Sequence, residues 1–340
     1  MTSGRSPLPR LRANVLEAWA VWVGMDVGLF DTLATPLTFD ALLEQTRFDR
    51  SALGPLVEAL VTTGHLERDG EALLVSPGSA PFLQTPGTSD ASSPYIGRSF
   101  GFLRTSRLFE RYPTLLREGG GVELTPEDWS HVTTGSSAYV AHAVNAMLEH
   151  VRALRGSGAE APRLLDVGCG SGDYTLELSA RVPGLRALAI DPTPPVAEAT
   201  ERRLRGCERV EVRCCEVGDV DGKFDVVLLN HVIHVVGERL SASILEQCRE
   251  RLAPGGQLVI QELVTTTENR GALFGLMMRL LFSEGDVYTR PEVENMAQRA
   301  GFERTRAHSI GPPEAGLVLV VCEADSQSSD TSPRGAGGTT

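Results

Sequence analysis

The chain has 340 residues, 41% of them hydrophobic and 22% charged, a composition typical of a globular protein long enough for two domains. Its formal net charge of -12 argues against a nucleic-acid partner, because phosphate binding requires a basic face. We expect no membrane partner either, since no uninterrupted apolar run reaches the roughly 18 residues that span a bilayer. The start MTSGRSPLPR has no apolar segment typical of a secretion signal, and the six cysteines form no CxxC pair. These features predict a cytoplasmic protein with reduced thiols.

The N-terminal third predicts a small helical domain. Residues 11–85 contain several short amphipathic segments, and two short apolar pieces around Asp69 and Gly70 then predict a β-hairpin. Helices followed by a hairpin are typical of a winged-helix module, which we place at 11–105. Helical periodicity returns over 106–155, which we interpret as linking helices that form a substrate lid.

From residue 163 onward, apolar runs alternate with helical stretches, which predicts an α/β domain with a mainly parallel sheet over 156–324. The runs are RLLDV, RALAI, VEVRC, FDVVLL and QLVIQELV. The last two runs, ERTRAHSI and GLVLVVCE, leave no room for a helix between them, so we expect an antiparallel pair at one edge of the sheet. The tail at 325–340 is rich in Ser, Gly and Thr and is predicted to be disordered.

The stretch DVGCGSG follows the first of these strands and opens a helix. Gly168, Gly170 and Gly172 can adopt positive φ and let a ligand approach the backbone closely. The next strand ends at Asp191, where a carboxylate can bind the two hydroxyls of a ribose. The spacing GxGxG, rather than GxGxxG, argues against a dinucleotide. The sequence therefore predicts a site for a nucleoside-containing ligand.

The segment LLDVGCGSGDYTLELSARVPGLRALAID resembles motif I of the class I S-adenosylmethionine (SAM)-dependent methyltransferases, and 252–262 resembles the turn and fifth strand of that Rossmann-like fold. The resemblance implies SAM as cofactor and S-adenosyl-L-homocysteine (SAH) as product. It places Glu216 near the adenine amine and Val217 against the adenine ring. It also implies that Asp166 and Asn230 lie in the cofactor site. The alternative is a different nucleotide-binding α/β domain.

With the N-terminal block included, nearly the whole chain is similar to the dimeric small-molecule O-methyltransferases of plant phenolic and bacterial polyketide pathways. That resemblance implies a homodimer in which the winged-helix domain serves dimerisation and helps to close the partner's pocket, rather than reading DNA. Trp19 and Trp22 are then expected in the dimer core. The acceptor is expected to be a small molecule, aromatic or polyketide.

The family has a His-Asp-Trp sequence after the fourth strand, and its histidine is the general base. His234 stands at that position, while Val235 and Val236 replace the Asp and the Trp. Glu262 matches the fifth-strand glutamate that orients the base, and Glu292 is the nearest match to a second carboxylate. A base with a pKa near ~6.5 suits this chemistry, because a free phenol titrates near ~10 and must lose or share its proton during attack.

The acceptor pocket is expected along a segment that resembles the family's substrate-lining helix, with Phe274, Met277 and Met278 as lining residues. His231 is interpreted as a further pocket residue. Two other interpretations stay open: His234 as a helix-start residue without chemistry, and a metal site made of His231, His234 and Glu262. We predict no metal.

The sequence HVIHVV, which lacks the usual Asp-Trp pair, leaves more than one function open. The first is a SAM-dependent O-methyltransferase that acts on a phenol or enol of a specialised metabolite. Alternatives are a C-methyltransferase, with or without metal assistance, and a SAM-binding enzyme that does not methylate, such as a pericyclase, hydroxylase or decarboxylase. A winged-helix regulator that only senses SAM is disfavoured by the acidic charge.

Overall fold

The computed structural model describes residues 8–85, 101–134, 139–155, 161–266, 271–311 and 316–323. The chain divides into two compact units, 1–104 and 105–340. The tail predicted to be disordered, 325–340, lies outside the described residues.

The first unit combines helices with a small antiparallel sheet in the strand order β1-β3-β2. Its elements are α1 (Leu8–Asp26), α2 (Leu29–Thr32), β1 (Leu37–Thr38), α3 (Phe39–Thr46), α4 (Arg50–Thr62), β2 (Leu66–Asp69), β3 (Ala72–Val75) and α5 (Ala80–Leu83). Side-chain caps start two of the helices: Thr38 Oγ1 accepts from the N–H of Ala41, and Asp49 accepts from the N–H of Ala52. The predicted order of helices followed by a hairpin is present, and its assignment as a winged-helix dimerisation module stays a prediction.

The second unit begins with helices and continues with alternating strands and helices. Before the sheet lie a 3₁₀ segment (Gly101–Arg111), α6 (Tyr112–Glu118), α7 (Pro126–Thr134), α8 (Val140–His150) and a 3₁₀ turn (Arg152–Arg155). The first half of the sheet region contains β4 (Arg163–Val167), α9 (Asp173–Arg181), β5 (Arg186–Ile190), α10 (Pro194–Arg203), β6 (Val210–Arg213) and a 3₁₀ turn (Val217–Asp219). The second half contains β7 (Phe224–Asn230), α11 (Ile233–Arg251), β8 (Leu252–Leu263), α12 (Gly271–Leu281), α13 (Arg290–Arg299), β9 (Arg304–Ile310) and β10 (Leu317–Glu323).

These seven strands form one sheet in the order β6-β5-β4-β7-β8-β10-β9. The first five run parallel, whereas β10 is antiparallel to both β8 and β9. The predicted mainly parallel sheet and its antiparallel pair are confirmed. The final strand in sequence lies one place inside the edge, because β10 inserts between β8 and β9.

Both faces of the sheet are covered, which explains why its central strands read as nearly continuous apolar runs. Alternate residues of each strand point to opposite faces. Leu165 and Val227 pack on the side of α11 and α13, while Leu164 and Val226 pack on the side of α8 and α9. Among the described helices, none is both long and apolar enough to cross a membrane.

The parallel strands place their carboxyl ends at one edge of the sheet, where ligands bind in open α/β sheets. The residues that follow β4, β5, β6 and β7 include the glycine stretch, Asp191, Glu216 and His231. The fold therefore brings segments that are distant in sequence to the same edge.

Helix α11 is interrupted near its start. Gly237 has φ 78° and ψ 171°, which separates the first turn, containing His234, from the rest of the helix. A Cβ at Gly237 would lie 2.6 Å from the carbonyl oxygen of Glu284. The N–H of Asp286 donates to the carbonyl oxygen of His234 at 3.0 Å. Glycine is thus needed for both the backbone conformation and the close approach of the segment around Glu284.

We predict that Gly237→Ala lowers the free energy of unfolding by about 2–4 kcal/mol, because it adds a steric conflict to the strain of a positive φ. Gly255→Ala is the matched control: Gly255 has φ 77°, but nothing lies within 4 Å of an added Cβ. The control should lose only about 1–2 kcal/mol, as expected for strain alone. Urea unfolding measures both variants, and equal losses would contradict the steric contact with Glu284.

Candidate active site

The glycine stretch forms a tight turn between β4 and α9. Gly168, Gly170 and Gly172 have φ 69°, 53° and 74°, a region that other residues enter at a cost. The N–H of Gly168 donates to the carbonyl oxygen of Ile190 at 2.9 Å, which ties the turn to the end of β5. A Cβ at Gly168 would lie 2.7 Å from Cγ2 of Val232, so this turn packs directly on the β7–α11 connection.

Asp191 is only 8% exposed and its carboxylate is fixed by backbone groups. Oδ2 accepts from the N–H of Gly170 at 3.2 Å, and Oδ1 accepts from the N–H of Thr193 at 2.9 Å. Burial raises the pKa of Asp191, although these hydrogen bonds act to lower it. A carboxylate has about four acceptor positions, so both oxygens retain capacity for ribose hydroxyls beside the glycine turn.

Two other predicted cofactor residues have buried polar atoms without a partner among the described residues. Asp166 accepts from Thr175 Oγ1 at 2.6 Å through Oδ2, while its Oδ1 has no partner, and burial raises the pKa of Asp166 to about 6. Asn230 ends β7, and neither its Oδ1 nor its Nδ2 has a partner. Because buried polar groups are nearly always hydrogen-bonded in native proteins, these atoms mark a place for a ligand or for water.

Glu216 and Val217 begin the short turn after β6. Glu216 is exposed and forms a capping box with Asp219, while Val217 is buried in the core on the α11 side of the sheet. Their predicted contacts with adenine stay predictions.

His234 and Glu262 meet in the interior of the second unit. His234 Nδ1 lies 2.5 Å from Glu262 Oε2, and the N–H of Ile233 donates to Glu262 Oε1 at 2.9 Å. His234 is 6% exposed and Glu262 1%. Burial acts to raise the pKa of Glu262, but the His234 imidazole and the backbone N–H outweigh it, so this pKa lies below its usual value. A carboxylate at Nδ1 favours the tautomer that carries its proton on Nδ1, which leaves Nε2 as an acceptor.

Two of the predicted pocket residues, Phe274 and His231, lie beside His234, whereas Met278 is buried in the interior. The Phe274 ring meets the His234 ring edge to face at 5.1 Å, and the His231 ring lies 5.5 Å from it. Met277 is half-buried on the same helix as Phe274, whereas Met278 is buried.

Glu292 forms a capping box at the start of α13, and its catalytic role stays a prediction. It is exposed in the first turn of α13, where its Oε2 accepts from both the N–H and the Oγ1 of Thr289 at 2.7 Å. These bonds form a capping box and lower the pKa of Glu292. Among the described residues, the hydrogen bonds of the Glu292 carboxylate are with Thr289 and not with His234 or Glu262.

His231, His234 and Glu262 offer ligand atoms within 4.8 Å of one another, which makes them a candidate metal site by geometry. Both Glu262 oxygens already accept hydrogen bonds, one of them from His234 itself. The donor set therefore fits a hydrogen-bonded pair better than a metal centre.

Sequence reasoning missed a second buried contact beside this pair. Tyr174, on α9, donates its hydroxyl to Gln261 Oε1 at 2.6 Å, and burial raises the pKa of Tyr174 well above its usual value. Gln261 Nε2 has no partner among the described residues, and the Gln261 carbonyl oxygen accepts from the N–H of His231 at 2.8 Å. The one available signal was a glutamine in the middle of the buried run LVIQELV.

Comparison with known proteins shows what the domain around this site resembles. Residues 165–258 match the family described as "Methyltransferase domain". The chain is 24% identical over 314 residues to the tetracenomycin polyketide synthesis 8-O-methyl transferase TcmO of Streptomyces glaucescens, covering 85% of this chain and 89% of TcmO. The chain contains a methyltransferase domain and is similar to an O-methyltransferase over most of its length. This methyltransferase uses SAM as its cofactor, and the glycine turn with Asp191 has the features that such a cofactor requires.

Two further proteins resemble this chain, one in its fold and one over half of its sequence. Human N-acetylserotonin methyltransferase in complex with SAM has the same fold, with a TM-score of 0.74, 18% identity, and coverage of 95% of this chain and 99% of that one. The aclacinomycin 10-hydroxylase RdmB of Streptomyces purpurascens is 29% identical over 180 residues, which cover 50% of this chain and 47% of RdmB.

Proposed function

We propose that this methyltransferase transfers the methyl group to a phenol or enol hydroxyl of an aromatic or polyketide specialised metabolite, with His234 as general base. The observation that carries the proposal is the 2.5 Å contact between His234 Nδ1 and Glu262 Oε2. This contact orients a buried imidazole whose Nε2 is an acceptor. The name of TcmO, an 8-O-methyl transferase of polyketide synthesis, supports the class of acceptor.

SAM, when bound, supplies an electrophilic methyl group. The residues of the chain then have two tasks, which are to hold the reactants in line and to accept the proton of the acceptor. The glycine turn and Asp191 would hold the cofactor at the ends of β4 and β5. His234 Nε2 takes the hydroxyl proton, and Glu262 stabilises the imidazolium that forms. The Phe274 ring shields His234 from water on one side.

The neighbouring His231 does not compete for this proton. Burial, together with the nearby His234, lowers the pKa of His231 to about 4, in spite of Glu262. His231 therefore stays neutral at physiological pH. His234 is the imidazole that the Glu262 carboxylate contacts directly.

A second candidate function is SAM-dependent chemistry without methyl transfer. The similarity to RdmB, named as a hydroxylase, favours it, and so do Val235 and Val236 at the positions of the usual Asp and Trp. Mass spectrometry of the product separates the two functions, because methyl transfer adds one methylene unit to the mass of the acceptor. C-methylation gives the same mass gain, and the carbon shift of the new methyl group in the NMR spectrum identifies it.

We also propose a homodimer formed through α1. One stripe of this helix is apolar and exposed, although large apolar patches are rarely left open on monomers. Leu8 is 70% exposed and Leu16 62%. Trp19 is 54% exposed, and its ring meets Trp22 edge to face at 5.7 Å. A second copy of the same helix would cover this surface.

The roles of 11–105 in dimerisation and of 106–155 as a lid belong to this proposal. So does a cytoplasmic location, which the six free cysteines support.

Asp191→Ala should weaken SAM binding by about 2–4 kcal/mol, because it removes charge-assisted hydrogen bonds to the ribose. Asp221→Ala, which removes an exposed carboxylate of the same unit, is the control and should bind SAM as the wild type does. Titration calorimetry compares the two. An unchanged affinity in Asp191→Ala would remove this residue from the cofactor site.

His234→Ala should lower kcat by roughly 10²–10⁴-fold, while SAM affinity stays near the wild-type value. Glu262→Gln should lower kcat less, because it weakens the orientation of the base without removing it. Steady-state kinetics with a phenolic acceptor provide the comparison. Near-normal turnover in His234→Ala would rule out this base but leave the SAM site in place.

Light scattering at micromolar concentration should give the mass of a dimer, about twice the 36.5 kDa of one chain. Leu16→Glu should shift the protein toward monomer, since it puts a charge into the apolar stripe. Leu116→Glu is the matched control, because Leu116 is 74% exposed but lies on α6. The dimer proposal fails if the wild type is a stable monomer, or if both variants behave alike.

A further inference from the structure

His231 has an unusual backbone conformation. Among the described residues other than glycine, only Arg47 and His231 have a positive φ. Arg47 caps the C-terminal end of α3, where a left-handed residue is ordinary. His231, with φ 56°, instead lies in the short connection between β7 and α11, next to the proposed base. Such strain outside a helix cap is typical of functional sites, where the surrounding structure enforces it.

Two contacts hold His231 in this conformation. Its N–H donates to the carbonyl oxygen of Gln261 at 2.8 Å, and the Gln261 side chain is itself held by the Tyr174 hydroxyl at 2.6 Å. The ring of Tyr174 lies 6.4 Å from the ring of His231. The imidazole of His231 is thus set in place from the neighbouring strand β8 and from α9.

The side chain of His231 is left without a hydrogen-bond partner at one end. Its Nε2 is buried and unpartnered within the described part of the chain. Two neighbouring polar side chains are already engaged, since the Tyr174 hydroxyl is bonded to Gln261, and both Glu262 oxygens accept from Ile233 and His234. A buried nitrogen in this condition costs free energy unless a ligand supplies its partner.

We propose that His231 binds a second oxygen of the acceptor, next to the hydroxyl that His234 deprotonates. The site would thereby select aromatic acceptors that carry two oxygens on adjacent or peri carbons. This inference rests on the proposed function, because it assigns the partner of His234 to the acceptor hydroxyl. It adds a residue that determines which acceptor is bound and which of its hydroxyls is turned toward the base.

The spacing of the two imidazoles fits this class of acceptor. The centroids of the two rings are 5.5 Å apart, and one nitrogen of the His231 ring lies within 4.8 Å of one nitrogen of the His234 ring. Neighbouring oxygens on an aromatic frame lie about 2.7 Å apart, at the distance of an internal hydrogen bond. Two such oxygens can each be about 2.8 Å from one of the nitrogens, whereas oxygens on opposite sides of an aromatic frame cannot reach both.

The charge of His231 suits the recognition of either a hydroxyl or a carbonyl. With its pKa lowered to about 4 by burial, the ring stays neutral and offers one donor and one acceptor. It can donate to a carbonyl oxygen or accept from a phenol. It does not take the proton that methyl transfer releases, so recognition and base catalysis are divided between two residues.

The test uses two isomers, 2,3-dihydroxynaphthalene and 2,7-dihydroxynaphthalene, which have the same apolar area and differ in the spacing of their oxygens. Their dissociation constants are measured by calorimetry with the SAH-loaded protein, and their kcat/KM values with SAM. Wild type should bind the 2,3 isomer about tenfold more tightly, as expected for one additional hydrogen bond. His231→Phe should reduce this preference to about twofold or less by weakening the binding of the 2,3 isomer, while binding of the 2,7 isomer stays unchanged.

A second variant tests whether a lost preference comes from the missing imidazole or from a folding defect. Asparagine adopts a positive φ readily, so His231→Asn keeps the backbone conformation but shortens the side chain. It should lose the same preference while keeping the SAH affinity and melting temperature of the wild type. The inference is overturned if the wild type binds neither isomer or both equally, or if His231→Asn keeps the preference.

The design separates this inference from the proposed function. His234→Ala should lower turnover of both isomers by roughly 10²–10⁴-fold, because it removes the base. If the wild type shows the preference in binding but does not methylate either isomer, the acceptor-recognition role of His231 stands and the proposed O-methyl transfer fails. If both isomers are methylated equally well, methyl transfer stands and the role of His231 fails.

Discussion

The buried carboxylate of Glu262 is the interaction on which the rest of the site depends. An ionised carboxylate in an interior is costly unless its oxygens are paired and hydrogen-bonded. Here one oxygen accepts from the first residue of α11, Ile233, and the other from His234 Nδ1. The same carboxylate therefore fixes the start of the helix and the tautomer of the imidazole. Removing it would loosen both, which is how Glu262 on β8 would affect the proposed chemistry at the end of β7.

The sheet makes this contact possible. Strands β7 and β8 are parallel, with Asn230 opposite Gln261, so Glu262 lies beside the chain as it leaves β7. The break at Gly237 separates the first turn of α11 from the body of the helix, so the orientation of His234 is set locally. On the other side, the turn at Gly168 packs against Val232 in the same connection. The glycine turn and His234 are therefore adjacent, because the turn packs on the short segment that leads into the first turn of α11.

Much of the fold could be predicted from the sequence, because the alternating apolar runs and the glycine stretch are local signals. The pairing of His234 with Glu262 was expected only through the family resemblance, since the two are 28 residues apart. The capping box of Thr289 and Glu292 follows a local three-residue spacing that the sequence already contains, while the catalytic role of Glu292 stays a prediction. Tyr174 and Gln261 are 87 residues apart, and no local pattern predicts such a contact. The left-handed backbone of His231 also has no sequence signature, because most histidines have a negative φ.

The most direct test of the central claim is a double-mutant cycle on kcat with His234→Ala and Glu262→Gln. The account states that Glu262 acts on catalysis through His234. It therefore predicts that Glu262→Gln lowers kcat in the wild-type background but causes little further loss in the His234→Ala background. Multiplicative losses, with the same factor for Glu262→Gln in both backgrounds, would contradict the account and show that the two residues act independently.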